Sequence, residues 1–483
     1  MKTAFTIAFC LAPFASANGD EAAHYPMTEI PIPEDIYLEG GGIEVLPGDR
    51  IAVSSRRGDI YIVEGAYTDT QDDDRWIPWA IGLHEVLGLA WKDGWLYATQ
   101  RPEVTRMRDE DGDWRADVFE TVSSAWGING DYHEYAFGSR HDKDGNIWVV
   151  LCLTGSGGAA SDFRGWAVRL TPEGEMIPTC SGVRSPGGIG QNHLGDMFYC
   201  DNQGPWNGTS CLKHLKPSSF TGNPTGNKYY ELTDAIGPRP ADPESGSRIH
   251  TEAERIPEFV PPAVQFPHGA LSNSPTGIAA DTTGGKFGPF ENQLFVGEQT
   301  KSRLLRVDLE KVNGVYQGAA FIFRDGFGSG NVPVRIAPNG TLFTGGTNRG
   351  WGSTGRKPFA LERLNYSGEV PFEILTMRAR PDGFILTFTE AVDKATAADP
   401  ASYKMEAYTY IYQSRYGSPV VDKSTPAITA AELGADGKSV RLKVDGLVKG
   451  HVHQLTAAGV RNTDGEPLLH DTGYYTLNQI PAG

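Results

Sequence analysis

His133 and Arg184 are the side chains best suited to chemistry on a hydroxyl group. A neutral imidazole takes a proton near neutral pH, and a guanidinium holds developing negative charge. His133 lies in Tyr132-His133-Glu134-Tyr135-Ala136-Phe137-Gly138, ahead of an Asp144-Gly145 turn. Arg184 lies in Gly182-Val183-Arg184-Ser185-Pro186-Gly187-Gly188. The segment Asp201-Asn202-Gln203-Gly204-Pro205-Trp206 follows. Its Gly204 and Pro205 carbonyls can serve a calcium ion, and Trp206 beside them is the best candidate for a sugar platform. A second oxygen-rich stretch runs Asp109-Glu110-Asp111-Gly112-Asp113-Trp114-Arg115-Ala116-Asp117. Carboxylates at relative positions 1, 3, 5 and 9 around a glycine can wrap one hard cation. Asp109, Asp111, Asp113 and Asp117 are therefore expected calcium ligands in a structural role; the other reading is a solvated acidic loop.

These residues need a scaffold that brings distant segments together, and a repeat supplies it. A polar-Gly turn followed by an alternating apolar or aromatic run recurs at Gly48, Gly94, Gly145, Gly195, Asn292 and Gly340. The steps are 46, 51, 50, 97 and 48 residues. A unit of about 40–50 residues is the length of a four-stranded propeller blade. The long step reads as one unit plus an insertion over about residues 212–262, which is rich in Pro, Gly, Ser and Asn. The reading is an all-β chain. A six-bladed β-propeller occupies residues 18–368 and closes near 365. Loops on one face of such a ring converge on its channel, so His133, Arg184 and residues 201–206 are expected to meet there.

After Pro371 the texture changes. Phe384-Ile385-Leu386-Thr387-Phe388 and Ser439-Val440-Arg441-Leu442-Lys443-Val444 alternate as half-buried strands, and Tyr474-Tyr475-Thr476-Leu477 reads as the last. Residues 369–483 are expected to form an immunoglobulin-like β-sandwich outside the ring. They resemble the Ig-like modules of bacterial surface proteins, as the acidic loop resembles EF-hand and dockerin calcium loops.

Lys plus Arg is 43 against 60 for Asp plus Glu, a net charge of −17. That excludes nucleic acid and anionic membranes as natural partners. Lys2, the apolar residues 4–14 and Ala15-Ser16-Ala17 read as a signal peptide over residues 1–17. The protein is therefore expected to be exported, to the periplasm or beyond, and no stretch is long enough for a transmembrane segment. Cys152, Cys180, Cys200 and Cys211 remain after that segment. An even number in an exported chain favours disulfides. Four cysteines allow three pairings; the short loop favours Cys200–Cys211, which would leave Cys152–Cys180.

The stretch from Leu87-Gly88-Leu89-Ala90-Trp91 to Thr99-Gln100-Arg101 resembles the opening blade of the glucose/sorbosone dehydrogenase-like propellers, some of which bind pyrroloquinoline quinone (PQQ). His133 resembles that family's proton-abstracting His, and Arg184-Ser185-Pro186-Gly187-Gly188 its active-site Arg segment. Gln203-Gly204-Pro205 resembles the loop whose carbonyls bind the cofactor's calcium. Residues 295–301 and Pro338-Asn339-Gly340 resemble its late blades. The resemblance covers roughly residues 80–350 and is closest to the membrane-bound-dehydrogenase-like propellers of polysaccharide-degrading bacteria. It implies catalysis by His133 and Arg184, cofactor contacts from Asn202, Gln203, Lys301 and Arg335, and calcium on Gly204 and Pro205. The sequence departs from the family in three places. His133 sits one residue farther from its hairpin Asp than the family pattern has it. Lys301 is displaced by about one position, and Asn331-Val332-Pro333-Val334-Arg335 lacks the paired arginines that clamp the cofactor's carboxylates.

The implied function is a PQQ-dependent oxidoreductase acting on a sugar or alcohol. Cys-x-x-Cys-His is absent from the chain, so electrons would pass to a separate acceptor such as a cytochrome. A non-catalytic glycan- or protein-binding propeller, or a calcium-dependent lactonase or hydrolase, are the alternatives. The quinoprotein reading requires His133, Arg184, Lys301 and Arg335 to share one channel mouth.

Overall fold

The computed structural model describes residues 21–68, 75–155, 157–348 and 350–482. The signal peptide expected over residues 1–17 lies outside the described residues. No helix among them is long and apolar enough to cross a membrane.

Each recurring turn joins the first two strands of an antiparallel sheet, and there are six such sheets. The first comprises Gly40–Leu46, Arg50–Ser55, Ile60–Val63 and Trp76–Ala80; the second Leu89–Lys92, Trp95–Thr99, Val104–Arg108 and Val118–Ser123. The third comprises Ala136–His141, Ile147–Leu151, Trp166–Leu170 and Met176–Ser181; the fourth Pro186–Gln191, Met197–Asp201, Ser210–His214 and Val264–Phe266. The fifth comprises Pro275–Ala280, Leu294–Glu298, Arg303–Val312 and Val315–Arg324. The sixth takes Asn331–Ile336, Leu342–Thr347 and Phe359–Leu364. Its outer strand, Met27–Glu29, comes from the other end of the chain and pairs with Phe359–Leu364. The opening strand of each sheet touches that of the next, and the sixth returns to the first, so the six strands ring a common axis.

Glycine makes that ring tight. A Cβ on Gly88 would stand 1.7 Å from the Gly138 carbonyl oxygen, and one on Gly277 would stand 2.5 Å from that of Val332. Without side chains there, neighbouring backbones can approach this closely.

The long insertion leaves after Ser210–His214 and returns as Val264–Phe266, the outer strand of the fourth sheet. On the way Ser219–Phe220 pairs in parallel with the third sheet's outer strand. Phe220, Ile256 and Phe259 then bury Tyr412 of the C-terminal region.

The C-terminal region is not separate from the ring. One of its sheets contains Ile374–Arg380, Gly383–Phe388, Ser439–Asp445 and Ala427–Leu433. The other contains Thr472–Leu477, His451–Thr456, Lys404–Tyr410 and Val420–Ser424. Phe384, Leu386, Val440, Leu442, Leu455 and Tyr475 fill the space between them. Thr472–Leu477 pairs with Val315–Arg324, with Ala319 opposite Tyr475, so the fifth sheet runs on into this region as eight strands.

The four cysteines are buried free thiols, which corrects the disulfide expectation. Cys200 stands opposite Leu212, and Asp201 opposite Cys211. Adjacent positions on paired strands face opposite sides of a sheet, so the Cys200 and Cys211 side chains diverge. Cys152 and Cys180 point instead at the carbonyl oxygens of Arg184 and Lys216.

Candidate functional site

A cavity of about 460 Å³ opens where the six opening strands begin. Two kinds of place in the repeats supply its wall, both of them in the last three sheets and one or the other in the first three. One is the start of the opening strand, as with Tyr135, Ser185 and Ser274; the other is the residues just after the second strand, as with Arg56, Asn202 and Gln299. His133, Arg184, Asn202 and Gln203, all expected from the sequence, line this one cavity. Among the described residues no carboxylate lines it, although the chain carries a net charge of −17. Arg56, Arg184, His133 and His268 are its basic groups.

His133 sits on a loop whose backbone is held from all sides. Asp131 accepts the His133 N–H at 2.8 Å and the Gly155 N–H at 3.0 Å. Arg101 donates to the Asp131 and Tyr132 carbonyls at 2.7 and 3.0 Å. Arg164 donates to the Glu134 and Tyr135 carbonyls at 2.9 Å each. The buried Glu134 carboxylate takes the hydroxyls of Thr154 and Ser161 and the Asn129 N–H. Inside this frame the imidazole is left over: its Nδ1 is buried and has no hydrogen-bond partner. Burial pushes the imidazole below its usual pKa; Asp131 opposes the shift, while Arg184 and Arg101 add to it. The ring is therefore neutral at physiological pH and can accept a proton.

Most polar groups of the facing wall are engaged. Arg184, itself buried, donates through Nη1 to the Asn202 carbonyl at 3.3 Å and the Gln203 carbonyl at 2.8 Å. Beneath it Asp201 pairs with Lys213 at 3.0 Å and accepts the Ser185 N–H at 2.8 Å, with both charged side chains almost completely buried. Burial alone would raise the Asp201 carboxyl; Lys213 first, then the Ser185 N–H, bring it below its usual value. A Cβ on Gly204 would stand 2.0 Å from the Arg184 guanidinium carbon, so only glycine lets the arginine lie along this loop. The Gly204 carbonyl accepts N–H groups from Asn207 and Gly417, at 3.0 and 3.1 Å, and the Pro205 carbonyl accepts Asn223 Nδ2 at 3.1 Å. Neither residue lines the cavity, and both carbonyls already have donors. Asn202 Oδ1 is the exception on this wall, being buried without a partner.

The remaining expected residues lie elsewhere. Arg335 is on the sixth sheet's opening strand, past the cavity-lining Val332, and its Nη2 meets Glu44 at 2.5 Å. Lys301 does not line the cavity, but its charge reaches His268, which does. Trp206 packs on Tyr412 at 5.0 Å instead of facing the cavity. In the acidic loop, ligand oxygens of Asp109, Asp111 and Asp117 come within 4.8 Å of one another. Asp113 stands apart from that group: its carboxylate caps the Arg115 N–H at 2.8 Å. This loop joins Val104–Arg108 to Val118–Ser123, on the side of the Asp93-Gly94 turn and away from the cavity.

Arg56, His268, Gln299, Tyr132, Trp351 and Tyr416 line the cavity and were not singled out by motif. The repeat carries a signal for some of them. Arg56, Gln203 and Gln299 occupy equivalent places, one or two residues beyond the second strand of their sheets. Arg184-Ser185-Pro186-Gly187 and Asn273-Ser274-Pro275-Thr276-Gly277 likewise share a Ser-Pro step before an axial glycine. No such register points to Tyr416, which arrives from the C-terminal region.

The family model described as a domain of unknown function, DUF7133, matches residues 55–314. No curated protein sequence matches the chain. Among solved structures, the chain is similar to a protein of Thermus thermophilus assigned as a glucose dehydrogenase, with 20% identity and a TM-score of 0.49 over 70% of this chain and 99% of the other. The PQQ-bound aldose sugar dehydrogenase of Streptomyces coelicolor is 18% identical, with a TM-score of 0.48 over 71% and 99%. The soluble aldose sugar dehydrogenase of Escherichia coli in its apo form is 14% identical, with a TM-score of 0.48 over 71% and 99%.

Proposed function

The chain belongs to the DUF7133 family, and we propose that it is an exported, quinoprotein-like oxidoreductase that oxidises a hydroxyl group of a sugar or alcohol. We read the six sheets as the blades of a β-propeller and residues 369–483 as an Ig-like sandwich joined to it. The observation that carries the functional reading is the neutral His133 imidazole. It has an unpartnered Nδ1 and sits on a braced loop in a cavity with two arginines and, among the described residues, no carboxylate. In this reading an imidazole nitrogen takes the proton of the substrate hydroxyl, and Arg184 stabilises the negative charge that develops on the oxygen. Asn202 Oδ1 and the Gln299 and Ser274 side chains orient the other hydroxyls.

PQQ, when bound, would supply the two-electron sink. Its carboxylates find suitable partners in kind: Arg56, whose Nε is buried without a partner, with Arg184 and His268. Lys301, outside the lining, would add its charge through its effect on His268. The calcium that accompanies such a cofactor does not fit the Gly204 and Pro205 carbonyls, which already have N–H donors. The distinguishing experiment is dye reduction by the purified full chain with PQQ, across a panel of sugars and alcohols. Turnover that disappears in His133→Gln is expected, and no reduction with any substrate defeats the reading.

A second reading, a glycan-binding protein without turnover, is favoured by one observation. Of the four residues that the quinoprotein reading requires at one mouth, His133 and Arg184 line the cavity, whereas Arg335 is committed to Glu44 and Lys301 is not in the lining. We also propose that residues 109–117 hold a structural calcium through Asp109, Asp111 and Asp117. Calorimetry with the full chain and its Asp111→Ala variant tests this.

A further inference from the structure

We infer that Tyr416, delivered by the C-terminal region, is a specificity-determining platform for a second pyranose ring of the ligand, so that the cavity selects saccharides longer than one residue. This deepens the sugar reading above and rests on it.

Five aromatic side chains are strongly exposed among the described residues, and three of them rim this cavity: Tyr132 at 59%, Trp351 at 43% and Tyr416 at 67%. Random scatter over the surface would not gather them there. Large exposed rings around a polar pit are what the apolar face of a pyranose requires, with amides and hydroxyls left for its rim. Tyr132 and Trp351 flank the His133 ring, at 4.0 and 6.1 Å between centroids. They therefore belong with the ring that would react. Tyr416 stands over Arg184 instead, with the guanidinium 5.3 Å from its centroid.

The backbone beneath Tyr416 is fixed while most of the ring is exposed. Tyr416 forms a bridge with Pro205, and the Gly417 N–H donates to the Gly204 carbonyl at 3.1 Å. The Trp206 N–H donates to the Gln413 carbonyl at 2.7 Å. The Tyr412 hydroxyl reaches the Gly222 carbonyl in the insertion, and Ser247 pairs with Tyr412. Charge pairs continue the seam, with Arg248 on Asp422 at 2.6 Å and Lys449 on Glu254 at 2.7 Å. A ring that contributes little to folding, on a loop held by this many contacts, is pre-organised for a ligand. Arg184 also links the two subsites, because it lies under Tyr416 and acts electrostatically on His133.

The test is titration calorimetry on the full chain with cellobiose, maltose, lactose and their component monosaccharides, without turnover. At least one disaccharide is expected to bind about tenfold or more tightly than its monosaccharide. That advantage should be lost in Tyr416→Ala and kept in Tyr416→Phe, with unchanged melting temperatures. Equal binding of disaccharides and monosaccharides, an unaffected Tyr416→Ala variant, or no binding across the panel each overturns the inference. If binding depends on Tyr416 but no sugar reduces dye with PQQ, the platform stands and the oxidation reading falls.

Discussion

The two walls of the cavity are built in opposite ways. On the His133 side, Arg101, Arg164 and Glu134 satisfy the backbone of the loop and leave the imidazole Nδ1 open. On the Arg184 side, the guanidinium, the buried Asp201–Lys213 pair and the Gly204 and Pro205 carbonyls all hold protein partners. Buried polar atoms are paired unless something else is meant to meet them. The first wall thus leaves a ring nitrogen open, whereas on the second, Asn202 Oδ1 apart, the protein itself holds the polar groups in place. One consequence is that a motif match at Gly204-Pro205 does not carry a metal with it, since those oxygens serve the C-terminal region and the insertion.

This contrast can be broken at several points. The largest effect is expected at His133. Replacement by Gln should lower kcat by about 10²–10⁴-fold if the imidazole is the base, with sugar affinity and melting temperature little changed. On the opposite wall the damage should be to stability. Lys213→Met leaves Asp201 as a buried unpaired charge, at a cost of about 3–5 kcal/mol in denaturant unfolding. Gly204→Ala sets a methyl group against the Arg184 guanidinium, and a loss of about 1–3 kcal/mol is expected from such overpacking. If Lys213→Met instead spared stability and abolished turnover alone, the division between an acting and a holding wall would be wrong.

Two pH effects separate the site from the frame. The lowered pKa of His133 places the acid limb of kcat/KM below pH 6.5, because the base stays neutral until its own pKa is passed. An acid limb above 6.5 would count against His133. Far from the cavity, His470 lies between Glu373 at 2.6 Å and Glu21 at 2.9 Å. Burial would lower its pKa, but the two carboxylates raise it to about 10. A raised pKa stabilises the fold fully below pH 6.5, and the contribution fades as pH climbs towards 10. Wild-type melting temperature should therefore fall over that window, and His470→Gln should flatten the fall.

Much of the ring was legible in the sequence. All six Gly or Asn turns join first and second strands, because a positive φ suits a tight hairpin: Gly94 has φ 81° and Asn292 69°. His133, Arg184, Asn202 and Gln203 were legible for a related reason. Each stands at a fixed place in a repeat, and the ring brings such places to one mouth. The cysteines show where spacing misleads. Ten intervening residues close a short loop on paper, but strand register turns Cys200 and Cys211 to opposite faces.

The sequence by itself determined the strands, the turns and the period, because these depend on local φ preferences and on alternation of apolar residues. Tertiary structure alone decided which polar atoms remain open, since that depends on partners hundreds of residues away. Arg335 was spent on Glu44, and the Gly204 carbonyl on Gly417. The same long-range contacts brought Tyr416 into a cavity that the repeat alone would have left without it.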